Sequence, residues 1–170
     1  DSTNVIDSIC SVITNVNYDH MNILGNTLEE ILDNKLGILK PNTSLIVGLK
    51  DPHLNEIAEN KAKELQSKFY SPLLKAFEIK KCDILSSRFV LEGLGELEIC
   101  LPGIHQIENA IVSVETFLRT KDLLGIDYLD IDKIRNGLQK TKWPGRLEVV
   151  SNEPLIVLDG GHNIDGVTRV

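Results

Sequence analysis

The chain has 170 residues, of which 42% are hydrophobic and 25% are charged, and its formal net charge is -7. This is enough apolar sequence for the core of one ordinary domain or for parts of two. An acidic balance without a cluster of Lys and Arg argues against a nucleic-acid partner, because phosphate contacts supply much of that affinity. The sequence has neither an apolar run long enough to span a bilayer nor a leader-like start, so we expect a soluble, cytoplasmic chain without a membrane partner.

The first part of the sequence predicts buried strands that alternate with helices. The β-branched run at 9–16 and the apolar run at 44–49 are typical of strands. Between them, Thr27 and Glu30 form a capping box at the start of a helix that Pro41 ends. This order of elements favours an α/β fold.

The middle of the sequence continues with an exposed amphipathic helix over 55–69. Its inward-facing residues are predicted to be Ile57, Ala58, Leu65 and Phe69. The alternating stretch at 88–100, with two glycines near its centre, predicts an antiparallel hairpin. Two further helices are predicted over 105–121 and 131–140.

The end of the sequence begins a new pattern. "GRLEVV" (145–150) and "PLIVLD" (154–159) predict two strands, the second buried and followed by a glycine turn and a new helix. The Pro-Gly pair before them favours a domain boundary that separates residues 1–142 from residues 143–170. The fold class predicted from the whole pattern is α/β, with a mostly parallel sheet and flanking helices.

The cysteines suggest neither a metal site nor a disulfide framework. Cys10, Cys82 and Cys100 are far apart in sequence, and no Cys-x-x-Cys pair occurs. We therefore expect three reduced cysteines in the core.

Lys35 interrupts the apolar face of the first predicted helix. Positions 28, 31, 32, 36 and 39 share that face with it, and a buried ammonium is costly. One interpretation places Lys35 at the edge of the face with its amine in water. The alternative is a desolvated, neutral amine that takes up CO2 as a carbamate, an anionic oxygen ligand suited to Mg²⁺.

Two histidines and an asparagine have both a structural and a functional interpretation. His20, which follows Asp19 after the first strand, is either an ordinary loop residue or a ligand or acid/base group. His105 and Asn109 lie four residues apart on the polar face of a helix, where a solvated surface is the simpler interpretation.

Candidate ligand-binding residues lie near the end of the chain. Arg146 is either a clamp for a phosphate or a member of a surface ion pair. Asp159 ends a strand before "GGHN", and ligands of open α/β sheets bind outside such carboxyl ends, although strand-turn-helix units are also common structure. The sequence has no Gly-Lys dipeptide, so a phosphate-cradling P-loop for ATP would have to lie outside this chain.

Several motifs follow one another in a fixed order along the chain. They are "DSTNVI" (1–6), "ITNVNYDHMNILGNTLEEI" (13–31), "KLGILKPN" (35–42), "LPGIHQIENA" (101–110), "WPGRLE" (143–148) and "LDGGHN" (158–163). In order and approximate spacing they resemble the folylpolyglutamate synthase and dihydrofolate synthase ligases of the Mur ligase superfamily. The resemblance covers essentially the whole chain.

The resemblance implies an organisation in two domains around a cleft. Family members have an N-terminal ATPase domain with a P-loop, followed by a smaller C-terminal α/β domain, and they are typically monomeric. Residues 1–142 would form the second half of the ATPase domain, and residues 143–170 the start of the C-terminal ligase domain. The chain is accordingly expected to be a fragment that lacks the P-loop.

The resemblance also implies a metal site. By motif position, His20 is similar to the histidine that binds a second Mg²⁺, and Lys35 to the lysine carried as a carbamate near that metal. Asp1 matches a functional aspartate of the family. The family usually has a small residue where Leu36 follows the lysine.

For the nucleotide, the resemblance implies that Asn109 contacts adenine and that Arg146 binds the ATP phosphates. Asp159 and His162 would close over the nucleotide from the C-terminal domain. The implied reaction uses ATP to phosphorylate a carboxylate of folate or dihydropteroate, after which L-glutamate attacks the acyl phosphate. Two alternatives remain: a Mur-type peptidoglycan amino-acid ligase, and a non-catalytic nucleotide-binding module.

Overall fold

The computed structural model describes residues 2–18 and 24–161. The chain divides into two compact units, the first formed by Asp1–Lys75 with Val112–Asp127 and the second by Ala76–Ile111 with Tyr128–Val170. No helix in the described ranges is long and apolar enough to cross a membrane. The domain boundary after residue 142 stays a prediction.

A three-stranded parallel sheet lies in the first unit. Its strands, in spatial order, are β1 (Ser11–Ile13), β2 (Ser44–Val47) and β3 (Lys68–Tyr70). Helices α1 (Leu28–Leu36) and α2 (Pro52–Glu64) lie in the two connections, because parallel neighbours require a crossover. The predicted α/β fold, with a parallel sheet and flanking helices, is confirmed.

The core of the first unit forms between this sheet and its two helices. Each fully buried aliphatic side chain contributes about 1.5–3 kcal/mol relative to an exposed one. Helix α1 ends at Leu36, earlier than the predicted stop at Pro41, and Leu39 packs into the core from the following turn. The buried residues of the core cluster are Ile13, Val16, Ile31, Leu32, Leu36, Leu39, Leu45, Val47, Leu49, Leu54, Ala58 and Ala62.

The predicted bounds of the second helix are wrong at both ends. Helix α2 begins at Pro52, where the Asp51 carboxylate accepts a hydrogen bond from the His53 N–H at 2.8 Å. An Asp cap followed by Pro at the first helical position is a strong start signal. The helix ends at Glu64, so Phe69 lies in β3 rather than on the helix.

A three-stranded antiparallel sheet lies in the second unit. Its strands are β4 (Phe77–Cys82), β5 (Ser87–Leu91) and β6 (Gly95–Ile99), and the last two form the predicted hairpin. The sequence did not predict β4, because that strand is mostly exposed and carries no clear apolar alternation. The helices α3 (Ile104–Thr120) and α4 (Ile131–Lys140) agree with their predictions.

The last described strands form a separate antiparallel pair, β7 (Glu148–Asn152) and β8 (Leu155–Leu158). The prediction that the second of these strands is buried is wrong for this structure. Leu155, Ile156 and Leu158 are 59%, 44% and 49% exposed. An apolar run indicates a strand but does not determine what covers it.

The three cysteines are free, as predicted, but two of them lie outside the core. Cys82 and Cys100 are exposed, since each lies at or just beyond the end of a strand in the antiparallel sheet. Cys10 is partly buried, and this burial raises the pKa of its thiol.

Candidate functional site

Lys35 lies in the last turn of α1, at the edge of the buried face. Ile31 and Leu36 on that face are 0% and 1% exposed, whereas Lys35 is only partly buried. A cation in the last turn also interacts favourably with the helix dipole. This partial burial fits the interpretation in which Lys35 lies at the edge of the apolar face, and the carbamate stays a prediction.

The start of α1 is fixed by the predicted pair of side chains. The Thr27 hydroxyl accepts a hydrogen bond from the Glu30 N–H at 3.2 Å, while the Glu30 carboxylate accepts one from the Asn26 N–H at 2.7 Å. Gly25, with φ of +124°, lets the chain before the helix pass close to Glu30, because a Cβ at position 25 would lie 2.4 Å from the Glu30 Cβ. The capping box is thus confirmed, with Glu30 bonded one residue earlier than in the usual pattern.

A side chain that the sequence did not single out holds the preceding loop to α1. The Asn34 amide donates to the Leu24 carbonyl at 2.7 Å and to the Glu30 carbonyl at 3.1 Å. Asn34 directly precedes Lys35, so the loop is tied to the same helical turn. Its exposed position on a helix gave no sequence signal, since amides there usually face solvent.

The predicted metal residues are only partly described. Asp1 and His20 lie outside the described residues, so their distances to Lys35 stay untested. Within 2–18 and 24–161, no group of three or more His, Cys, Asp or Glu side chains could hold a metal ion. The metal site remains a prediction from the motifs.

Asn109 lies on the exposed face of α3, one turn after the helix begins. Its amide donates to the Gln106 side-chain oxygen at 3.1 Å. At the start of the helix, Gly103 has φ of +101°, and a Cβ there would lie 2.7 Å from the His105 ring. Glycine therefore lets the His105 ring fold back over the first turn. The predicted polar face is confirmed, and the adenine contact of Asn109 stays a prediction.

The structure brings the segments of Arg146 and Asp159 together within the second unit. The Gly160 N–H donates to the Gly145 carbonyl at 2.7 Å, and a Cβ on Gly160 would lie 3.9 Å from an Arg146 Nη1. Glu148, which the sequence did not single out, accepts a hydrogen bond from the Gly145 N–H at 2.8 Å. The arginine is exposed beside the glycine backbone at 160, which suits the approach of a phosphate.

The Asp159 carboxylate has a structural role in this turn. Its Oδ2 accepts a hydrogen bond from the Leu147 N–H at 2.9 Å, and its Oδ1 accepts one from the Gly161 N–H at 2.7 Å. Asp159 therefore fixes the backbone at Leu147, directly after Arg146, and at Gly161, beyond its own strand. His162 lies outside the described residues. Lys35 belongs to the first unit, and Asn109, Arg146 and Asp159 belong to the second.

Comparison with known families matches residues 2–117 to the Mur ligase middle domain. The chain is 32% identical over 177 residues to the dihydrofolate synthase/folylpolyglutamate synthase of Bacillus subtilis strain 168, an alignment that covers 100% of this chain and 40% of that protein. The chain thus spans 40% of the length of this curated relative.

The fold is also similar to that of solved folylpolyglutamate synthases. The apo form of the L. casei enzyme superimposes with a TM-score of 0.85 at 31% identity, over 99% of this chain and 42% of that one. A structure described as an FPGS-AMPPCP-folate complex gives the same TM-score, identity and coverage. The similarity therefore extends over both compact units, not over an isolated motif.

Proposed function

Because the chain belongs to the Mur ligase middle domain family, we propose that the longer protein containing it is an ATP-dependent ligase that joins L-glutamate to a folate or dihydropteroate carboxylate. The observation that carries this proposal is similarity to folylpolyglutamate synthases in sequence and fold over essentially the whole chain. The relative that binds AMPPCP and folate together supports both substrate classes. The three free cysteines fit the reducing cytoplasm, where we place the protein as a monomer.

The proposed reaction has two steps. First, an oxygen of the substrate carboxylate attacks the γ-phosphorus of ATP, so that ADP leaves and an acyl phosphate forms. Next, the amine of L-glutamate attacks the acyl carbon, phosphate leaves, and the nitrogen loses a proton to give the amide. Such transfers depend mainly on positioning and on charge that opposes the developing negative charge.

In this proposal, the second unit supplies the nucleotide contacts. Arg146 binds the ATP phosphates, because its guanidinium is exposed beside the glycine backbone at 160. Asn109 contacts adenine from the exposed face of α3, with Gln106 orienting its amide. Asp159 holds the arginine turn in place through the Leu147 N–H, and His162 closes over the nucleotide.

The first unit supplies the proposed metal residues. An ammonium has only donors, so Lys35 would bind Mg²⁺ only after its neutral amine adds CO2 and loses a proton to form a carbamate. The donor set then fits the ion, since carbamate oxygens are hard ligands and His20 adds one nitrogen. When bound, Mg²⁺ supplies positive charge that offsets charge on the transferred phosphoryl group. Asp1 is the further catalytic carboxylate of this site.

The test is an assay of the full-length protein with ATP, Mg²⁺ and L-glutamate. Dihydropteroate and tetrahydrofolate are offered separately, and product mass and ADP are measured. We expect glutamate addition to at least one of them. Absence of addition to both, with addition of an amino acid to a muramoyl nucleotide instead, would identify a peptidoglycan ligase and contradict the proposal.

The same assay tests Lys35. Lys35→Ala should lower turnover by at least about 100-fold, and millimolar acetate should restore part of it, because a free carboxylate replaces the lost carbamate oxygens. Lys63→Ala, on the exposed side of α2, is the matched control and should leave turnover within about twofold. Loss of turnover that no small carboxylate restores would contradict the carbamate.

A further inference from the structure

We propose that Lys40 is a positioning residue that ties the turn following Asp1 to the loop following Lys35. The turn is the 3-10 helix Ser2–Val5, and the loop comprises residues 37–40. The role in catalysis rests on the proposed function, which assigns Asp1 and Lys35 to one site. The contact itself is a feature of the fold and does not depend on that assignment.

Lys40 makes a two-point contact with Asn4, a residue 36 positions away in the sequence. Its ammonium donates to the Asn4 carbonyl at 2.5 Å and to the Asn4 side-chain oxygen at 3.2 Å. Hydrogen bonds from an ionised donor are shorter and stronger than neutral ones. The Asn4 amide nitrogen also lies 4.0 Å from where a Cβ on Gly37 would be, so Asn4 rests against the loop itself.

The loop that carries Lys40 is held by three hydroxyl groups. The hydroxyls of Thr43 and Ser67 both donate to the Lys40 carbonyl, at 2.7 and 2.9 Å. The Ser11 hydroxyl donates to the Ile38 carbonyl at 3.1 Å. An exposed lysine usually gains little from its contacts, because holding the side chain costs entropy. Here the backbone is already ordered, so less is lost when the ammonium binds.

The contact between Lys40 and Asn4 (the Lys40 clamp) limits where Asp1 and Lys35 can lie. Asp1 precedes Asn4 by three residues, and a chain of that length spans at most about 11 Å. Lys35 precedes Gly37 by two residues, a span of at most about 7 Å. A contact that joins Asn4 to the loop after Gly37 therefore sets an upper bound on how far the backbone of Lys35 can lie from the start of the chain. Groups held in advance bind an ion without first being ordered.

The experiment compares Lys40→Met and Lys40→Arg in the full-length protein. Arginine keeps the charge and can reach both Asn4 oxygens, whereas methionine keeps only the apolar stem. Lys63→Met is the matched control, since Lys63 is an exposed lysine of the same unit whose partner, Glu59 at 2.8 Å, is only one helical turn away.

The first measurement is backbone hydrogen exchange of the peptide that contains Ser2–Val5. Exchange should be at least about fivefold faster in Lys40→Met, unchanged in Lys63→Met, and close to the original rate in Lys40→Arg. Hydrogen exchange in α2 should be the same in all three variants, because α2 takes no part in the contact between Lys40 and Asn4. Unchanged exchange in Lys40→Met would overturn the clamp.

The second measurement is the Mg²⁺ concentration that half-saturates activity, together with calorimetric Mg²⁺ binding in the presence of ADP. Both values should rise about fivefold in Lys40→Met and stay within about twofold in Lys40→Arg. A loss of folded protein lowers turnover but leaves these concentrations unchanged, so the two effects are separated. Faster hydrogen exchange in Lys40→Met, with neither the half-saturating Mg²⁺ concentration nor the calorimetric Mg²⁺ affinity changed, would overturn the positioning role.

The outcomes also separate this proposal from the proposed function. If the full-length protein adds no glutamate to any folate, the proposed function fails, while exchange and calorimetry still decide the role of Lys40. If Lys40→Met does not fold, Lys40→Gln, which keeps a polar end, is measured in the same way. Its exchange and Mg²⁺ values should then move in the same direction, and unchanged values would overturn the proposal.

Discussion

Asp83 closes the turn between β4 and β5 with its carboxylate. Oδ1 accepts hydrogen bonds from the N–H groups of Leu85 and Ser86, at 2.9 and 3.0 Å, and Oδ2 lies 2.7 Å from the Lys81 ammonium. The Lys81 contact and then these N–H groups lower the pKa of Asp83 to about 2. Because an unfolded Asp titrates near pH 3.9, the carboxylate stabilises the folded chain above about pH 4, and this stabilisation is lost as the pH falls from about 4 to about 2.

The prediction at this residue concerns Lys81. Lys81→Met should raise the pKa of Asp83 from about 2 towards the ordinary value of about 3.9, without reaching it, because the backbone N–H groups remain. The measurement is an NMR titration of the Asp83 carboxyl carbon.

Lys80→Met is the matched control for this titration. The Lys80 ammonium lies 2.6 Å from the Glu78 carboxylate instead, so the pKa of Asp83 should not move. A pKa near 2 that persists in Lys81→Met would show that the backbone alone lowers it.

At the candidate site, the sequence picked out single residues, and the structure shows which contacts they make. The sequence singled out Arg146 and Asp159 separately, each with a structural alternative, and the structure brings their turns together. It also shows that both Asp159 oxygens accept backbone hydrogen bonds. The Gly161 N–H is a local donor two residues on, whereas the Leu147 N–H lies 12 residues away and reaches Asp159 only because of how the chain folds.

At the scale of elements, β1 and β2 continue beyond their paired residues in a close approach at Gly48. The Gly48 N–H donates to the Ile13 carbonyl at 2.8 Å. A Cβ on Gly48 would lie 2.3 Å from the Thr14 carbonyl oxygen and 2.9 Å from a methyl group of Val112. The backbone oxygen cannot move aside without breaking the strand pair, so only glycine fits here.

Two glycine substitutions test this approach. Gly48→Ala should lower the free energy of unfolding by about 1–3 kcal/mol, because an added methyl overpacks the site. Gly137→Ala should instead raise it by about 0.5–1 kcal/mol, since Gly137 lies inside α4 and a Cβ added there would meet no atom within 4 Å. Urea unfolding of the full-length protein measures both. An unchanged free energy of unfolding in Gly48→Ala would contradict the close approach.

Elements differ in how far the sequence predicted them. Helix α4 was predicted at its exact bounds, because its cap and its apolar spacing are both local. Strand β4 was missed, since an exposed strand with several charged residues shows little alternation. Phe69 was assigned to a helix because its spacing continued the helical pattern, yet it pairs with Leu45 of β2. Pairing with a distant strand overrides local periodicity.

At the scale of the whole molecule, the chain covers 40% of its Bacillus relative and its sequence contains no P-loop. We therefore expect the 170-residue chain, expressed alone, to add no glutamate to dihydropteroate or tetrahydrofolate, while the full-length protein does so. Far-UV circular dichroism of the isolated chain is the control for folding. ATP-dependent glutamate addition by the folded, isolated chain would contradict the expectation.

The sequence by itself determined the alternation of strands and helices, the capped start of α1 and the order of motifs that relates the chain to its family. These features depend on periodicity and spacing along neighbouring residues, which a sequence shows directly. Only the tertiary structure decided that Lys40 reaches Asn4, that Asp159 orders the turn of Arg146, and that β8 is exposed. Such contacts join residues far apart in the chain, and their partners are set by how the elements pack, a choice that no local pattern encodes.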